Sequence, residues 1–193
     1  VFRPGPQRRI SGNPTNNPLA LIASDYRRQR ESLGALRALA SEGLLASSVY
    51  RLRHWAHCGE SVPLRSLWKV LLYIAHRLQK VVTGIGISPS AQIGPGLFIL
   101  HFGGIFISSH AVIGSDCLIL QGVTVGSTIG KTPMSAPTIG DRVRLMAGSL
   151  LIGPITVGDD VTVAAGAVVV KDVPAGALVA GNPAKVIQPK EDA

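Results

Sequence analysis

Two hydrophobic rhythms divide the chain near Gly84. Before it, Leu19, Ile22, Tyr26, Leu33, Leu36 and Leu39 recur at roughly helical spacing, with Arg27, Arg28 and Arg30 between them. This pattern predicts a helix up to a break at Gly43, a second helix over Leu44 to Trp55, and a third that opens near Pro63. The third carries Leu67, Val70, Leu71, Ile74 and Leu78 and runs to about Val81. Residues 1–18, rich in Pro, Gly, Asn and Arg, show no period and read as a flexible tail.

After Gly84 the period becomes six. Ile87, Ile93 and Ile99 are six apart, then Ile107, Ile113, Ile119 and Val125, then Ile139, Leu145, Leu151, Val157, Val163 and Val169. Neither a helix nor a simple alternating strand gives this spacing. One short strand plus one tight turn does, and three such units close a triangular coil of a parallel β-helix. Each aliphatic residue then points inward, and stacking of coils turns isolated side chains into one core. About five coils fit residues 87–174. The series slips by two between Ile99 and Ile107, and again between Val125 and Ile139. The second slip predicts a loop, residues 127–137, extruded from the side of the prism, a common place for function on a rigid scaffold. The expected organisation is a tail (1–18), a helical segment (19–84), a β-helix (85–176) that stops after Val173 and Pro174, and a C-terminal turn and tail (177–193).

Charge follows the same division. The 193 residues carry a formal +8, but residues 1–84 hold net +9 and residues 85–193 net −1. Sixteen of the 22 glycines lie in the second part, where corners need them. With 46% hydrophobic residues the chain is not a disordered basic polymer. Cys58 and Cys117 are too few for a disulfide framework and lack zinc-ligand spacing, so no metal is expected. No apolar run is long enough for a membrane span, and the first residues lack a signal core. A cytoplasmic protein without membrane contact is expected. The basic segment lacks a recognition-helix motif or interleaved aromatics, so nucleic acid is not an expected partner.

Arg51, Arg53, His54 and His57 share one helical region and read as solvated surface or as a basic face able to attract phosphates. Trp55 and Trp68 read as packing anchors, Cys58 as a structural thiol, Cys117 as core and His110 as surface. His101 stands at the first slip of the hexad series. An imidazole that titrates near neutrality is suited to take a proton from a hydroxyl.

The repeats resemble those of hexapeptide-repeat acyltransferases. The serine acetyltransferase group is the most similar, through Ile93-Gly-Pro-Gly, His101-Phe-Gly-Gly-Ile, Ala111-Val-Ile-Gly, Ile119-Leu-Gln-Gly-Val-Thr-Val-Gly and the stretch from Val173 to Val186. The resemblance covers about residues 85–187. It implies a mainly β fold, a left-handed parallel β-helix with a small N-terminal helical segment. It further implies acetyl-CoA as co-substrate, His101 as general base, and direct attack of an acceptor hydroxyl on the thioester. Gly126, Ala147 and Ala165 then contact the pantetheine arm, Lys185 meets a CoA phosphate, and the sites lie between the subunits of a homotrimer. Two positions depart from the group's pattern. Leu100 stands where an acidic residue precedes the histidine, and Ser135-Ala136 replace an Arg-His pair of the loop. The arginine of that pair would grip an amino acid's carboxylate. The acceptor is therefore L-serine or the hydroxyl of a sugar or other small molecule. The alternative is a β-helix scaffold without enzymatic activity.

Overall fold

The computed structural model describes residues 17–58, 63–128 and 135–187. The tail before Asn17, the centre of the extruded loop and the last six residues lie outside the described residues. Four helices come first: α1 Pro18–Leu33, α2 Ala35–Leu39, α3 Glu42–Cys58 and α4 Pro63–Thr83. Short strands follow, numbered in chain order, and they stack into three parallel sheets.

The first sheet holds β1 Ile85–Ile87, β4 Ile105–Ile107, β7 Thr124–Gly126, β10 Leu150–Ile152 and β13 Val168–Val169. The second holds β2 Gln92–Ile93, β5 Val112–Ile113, β8 Thr138–Ile139 and β11 Thr156–Val157, and a bridge from Val157 to Val173 extends it. The third holds β3 Phe98–Ile99, β6 Leu118–Ile119, β9 Arg144–Leu145, β12 Thr162–Val163 and β14 Leu178–Ala180, closed by antiparallel β15 Lys185–Ile187. These sheets are the three sides of a triangular prism. Because β14 pairs with β12, the stack continues to Ala180, past the expected end at residue 176.

Every member of the hexad series points into the prism and is at most 5% exposed. The residue two positions earlier points inward as well: Ala91, Leu97, Ala111, Cys117, Val123, Val143, Val161 and Ala167 are all buried. Alternation along extended backbone puts i and i−2 on the same side, so each strand of the hexad series, together where needed with the residue just before it, supplies two core positions.

The helical segment closes the open end of this prism. In the second coil the carbonyls of Ala111 and Ile113 accept hydrogen bonds from Gln92 and Gly94 of the first. The matching carbonyls of the first coil, Ala91 and Ile93, have no coil below them. Buried carbonyls left without donors are costly. Side chains of α3 and α4 supply the donors. Tyr50 donates its hydroxyl to Ala91 at 2.8 Å. Arg51 donates to Ile93 and Gly94, each at 2.6 Å. Gln79 reaches the Ile85 carbonyl at 3.2 Å. From α1, Asp25 holds the Arg51 guanidinium in a fork at 3.0 and 3.1 Å and accepts the Leu97 N–H at 2.9 Å. Both members of the pair are buried. Burial pushes the Asp25 carboxyl pKa up, against the Arg51 charge and the hydrogen bonds that favour its ionised form. The helices thus form a capping repeat for the solenoid.

This corrects the reading of Arg51 as solvated or as a phosphate-attracting residue: it is a structural cap. Gly34, not Gly43, breaks the first helix, adopting φ +81° between α1 and α2. Gly43 lies inside α3, where a Cβ would run into the Ile99 carbonyl, so its lack of a side chain lets the helix sit directly on the first coil. Trp68 is 48% exposed and does not anchor packing within the chain.

Candidate active site

His101 stands on the corner that leads from the third sheet to the first. The regular form of that corner carries one left-handed glycine, at Gly122, Gly148 and Gly166, with φ between 68° and 73°. These glycines stack closely: a Cβ on Gly122 would lie 3.3 Å from the Gly148 Cα. At His101 the corner is two residues longer and uses Gly103 and Gly104, at φ +101° and +67°. Two backbone bonds pin the expanded corner to the coil above, Leu100 N–H to the Ile119 carbonyl at 3.2 Å and Gly122 N–H to the Gly103 carbonyl at 2.8 Å. The slip in the hexad series is therefore a bulge anchored at both ends. It presents His101 and Phe102 to solvent.

The same corner brings two expected site residues into line with His101. Gly148 N–H donates to the Gln121 carbonyl and Gly166 N–H to the Ala147 carbonyl, both at 2.9 Å, so successive corners stack as a column. Ala147 is half-buried and Ala165 exposed on that column. Their methyl groups leave the main chain open to a ligand. Gly126 lies elsewhere, at the end of β7 and the far edge of the first sheet, where its carbonyl accepts from Gly153 at 3.1 Å. One chain does not bring Gly126 to the His101 corner. Lys185 is exposed on β15, opposite Ala180 and beyond the last coil. Of the loop, Ser135 and Ala136 are described. Ser135 accepts from Thr128 N–H at 3.2 Å, and Ala136 packs against the core.

Other candidates fall outside this corner. His110 is exposed, with Nδ1 3.0 Å from the Ser109 hydroxyl. Cys117 lies in the core, and burial pushes its thiol up to about 12. The thiolate is the reactive species. In a Cys58→Ser background, Cys117 is therefore expected to resist thiol reagents at pH 8 while folded and to react in denaturant. Labelling followed by mass spectrometry checks this. Among the described residues no three His, Cys, Asp or Glu side chains form a metal-binding group, and no helix is long and apolar enough to cross a membrane.

Comparison with known proteins agrees with this geometry. The family model for bacterial transferase hexapeptide repeats matches residues 136–171. Serine acetyltransferase of Helicobacter pylori (strain 26695) is 39% identical over 145 residues, covering 75% of this chain and 81% of that protein. The chain belongs to the serine acetyltransferase family. Another member, the chloroplastic serine acetyltransferase 1 of Arabidopsis thaliana, is 41% identical over 159 residues, or 80% of this chain. The chain spans only 47% of that relative's length. A serine acetyltransferase solved in complex with CoA superposes with a TM-score of 0.75 at 29% identity, covering 88% of this chain and 69% of the other. The prism matches the left-handed β-helix of this family.

What the sequence reading missed in this family member is the role of Asp25, Tyr50 and Arg51. The available signal was the number of first-coil carbonyls without partners, which becomes visible only once the coil register is drawn.

Proposed function

We propose that this chain is an acetyl-CoA-dependent O-acetyltransferase in which His101 is the general base. The observation that carries this reading is the anchored two-residue bulge that presents His101 at the head of the column of small-residue corners containing Ala147 and Ala165. Pantetheine laid along that column places the thioester beside the imidazole. His101 then takes the proton from an acceptor hydroxyl as the oxygen attacks the thioester carbonyl. The tetrahedral intermediate collapses to an acetyl ester, and the sulfur leaves as CoA, taking a proton. No acyl-enzyme is formed. Main-chain N–H groups at a rigid corner are suited to stabilise the developing oxyanion.

The site is shared between subunits of a trimer. Gly126 and His101 occupy different edges of one prism, so a ligand that meets both needs two chains. Phe102 and Phe106, 55% and 48% exposed near the corner, provide apolar surface for such a contact. In this reading Lys185, exposed beyond the last coil, meets a CoA phosphate.

The acceptor is L-serine or a sugar hydroxyl, and the loop pair is the feature that speaks for the uncharged one. Leu100 and the Ser135-Ala136 pair carry no charge, so those positions offer no guanidinium fork for a free carboxylate. L-serine is the second reading, carried by the names of the relatives. The two separate in one assay: CoA release from acetyl-CoA with L-serine, homoserine and nucleotide sugars in parallel. Turnover with a sugar and little with L-serine supports the reading from the loop pair. Efficient turnover with L-serine overturns the argument from the uncharged loop pair.

A further inference from the structure

The helical cap contains a cationic cavity that the His101 reading does not use. It has a volume of about 150 Å³ and lies between α3, α4 and the first coil, lined by Arg53, His57, Lys69, Leu72, Tyr73 and Pro89. Among the described residues the ion pairs are Arg28–Glu31, Arg51–Asp25 and Arg142–Asp160; none involves a wall of this cavity. α4 carries Arg65, Lys69, Arg77 and Lys80 and no acidic residue. The Arg53 and Arg77 guanidinium carbons lie 6.0 and 5.9 Å from the centre of the Tyr73 ring, so two like charges converge on one aromatic wall. His57 is held at the rim by Ser90, its Nε2 3.1 Å from the hydroxyl. Burial lowers the Arg53 pKa, and burial first, with the Arg53 charge after it, lowers that of neighbouring His76.

We infer that this cavity binds the phosphate or diphosphate group of a phosphorylated small molecule. A planar guanidinium fork, an ammonium and an imidazole around a small concave space match the oxygens of a phosphoryl group. The cavity is too small for an entire nucleotide, so the rest of such a ligand lies outside it. Its source is an acceptor or regulator that carries a phosphate or diphosphate, because coenzyme A laid along the Ala147 and Ala165 corners carries its phosphates toward Lys185, beyond the last coil and away from the cap.

Inorganic pyrophosphate is the first probe, titrated calorimetrically into the full chain at low ionic strength. Saturable binding is expected, weakened at least tenfold in Arg53→Gln/Lys69→Gln and unchanged in His101→Ala. Lys69→Gln alone alters an exposed side chain and is expected to fold normally while still weakening binding several-fold. Rising salt should also weaken it. Displacement of bound pyrophosphate by uridine diphosphate is expected, and displacement by coenzyme A but not by uridine diphosphate would assign the cavity to the co-substrate and overturn this source. Absence of saturable pyrophosphate binding overturns the inference, as does binding that the folded Lys69→Gln and double variants leave intact. Acetyl transfer measured on the same preparations reports separately on the His101 reading.

Discussion

Replacing Arg51 with alanine is expected to cost about 3–5 kcal/mol of folding stability, the usual penalty for leaving a buried charge without its partner. Asp25 would remain in the interior with only Leu97 N–H and the Ser47 hydroxyl as partners, while the Ile93 and Gly94 carbonyls would lose their donors from Arg51. Urea titration of the wild-type and variant chains measures the difference. Removing Asp25 together with Arg51, as Asp25→Leu/Arg51→Met, removes both charges and is expected to recover part of the loss. It does not restore the two carbonyl bonds, so the double variant should stay below wild type. A single variant within about 0.5 kcal/mol of wild type, the range of ordinary surface substitutions, would show that the helices do not cap the solenoid in the way the geometry indicates.

His101→Ala is expected to lower kcat about 10²- to 10⁴-fold, the range associated with loss of a general base. The side chain is exposed and the bulge is held by backbone bonds from Leu100 and Gly122, so folding should be unaffected. KM for acetyl-CoA should change little, because the expected pantetheine contacts lie on the corners of Ala147 and Ala165. A fall in kcat with thermal stability and acetyl-CoA KM preserved supports the role. Near-normal turnover in the folded variant removes His101 from it.

The hexad series made the prism legible because inward positions recur at fixed spacing and each coil repeats the same environment. Ile87 through Val169 are buried as that spacing requires. The first slip was equally informative: the bulge occurs between Ile99 and Ile107 and carries His101. The helical segment was harder to read. Arg51 lies on an amphipathic stretch beside Arg53 and His54, and helix periodicity does not distinguish a cation facing water from one facing the end of a β-helix. That distinction depends on carbonyls some forty residues away in sequence. Gly43 presents the same difficulty, since its close contact with Ile99 is long-range and a local scan sees only a helix breaker. The site was only half legible for a related reason. His101, Ala147 and Ala165 align along one corner of one chain, whereas Gly126 lies at another edge of the prism, and intrachain periodicity does not specify what meets it there.

The charge excess before Gly84 likewise has two parts. Arg51 is buried as a structural cap, while Arg53, His57 and Lys69 surround an open cavity. A total of +8 conceals that division.

The most direct measurement is acceptor-dependent release of free CoA from acetyl-CoA by the purified chain, with the acetylated product identified by mass spectrometry. The account predicts stoichiometric CoA release and an O-acetyl ester on a hydroxyl acceptor, strongly reduced in His101→Ala. A folded chain that neither binds acetyl-CoA nor transfers its acetyl group to any hydroxyl in the panel would contradict it.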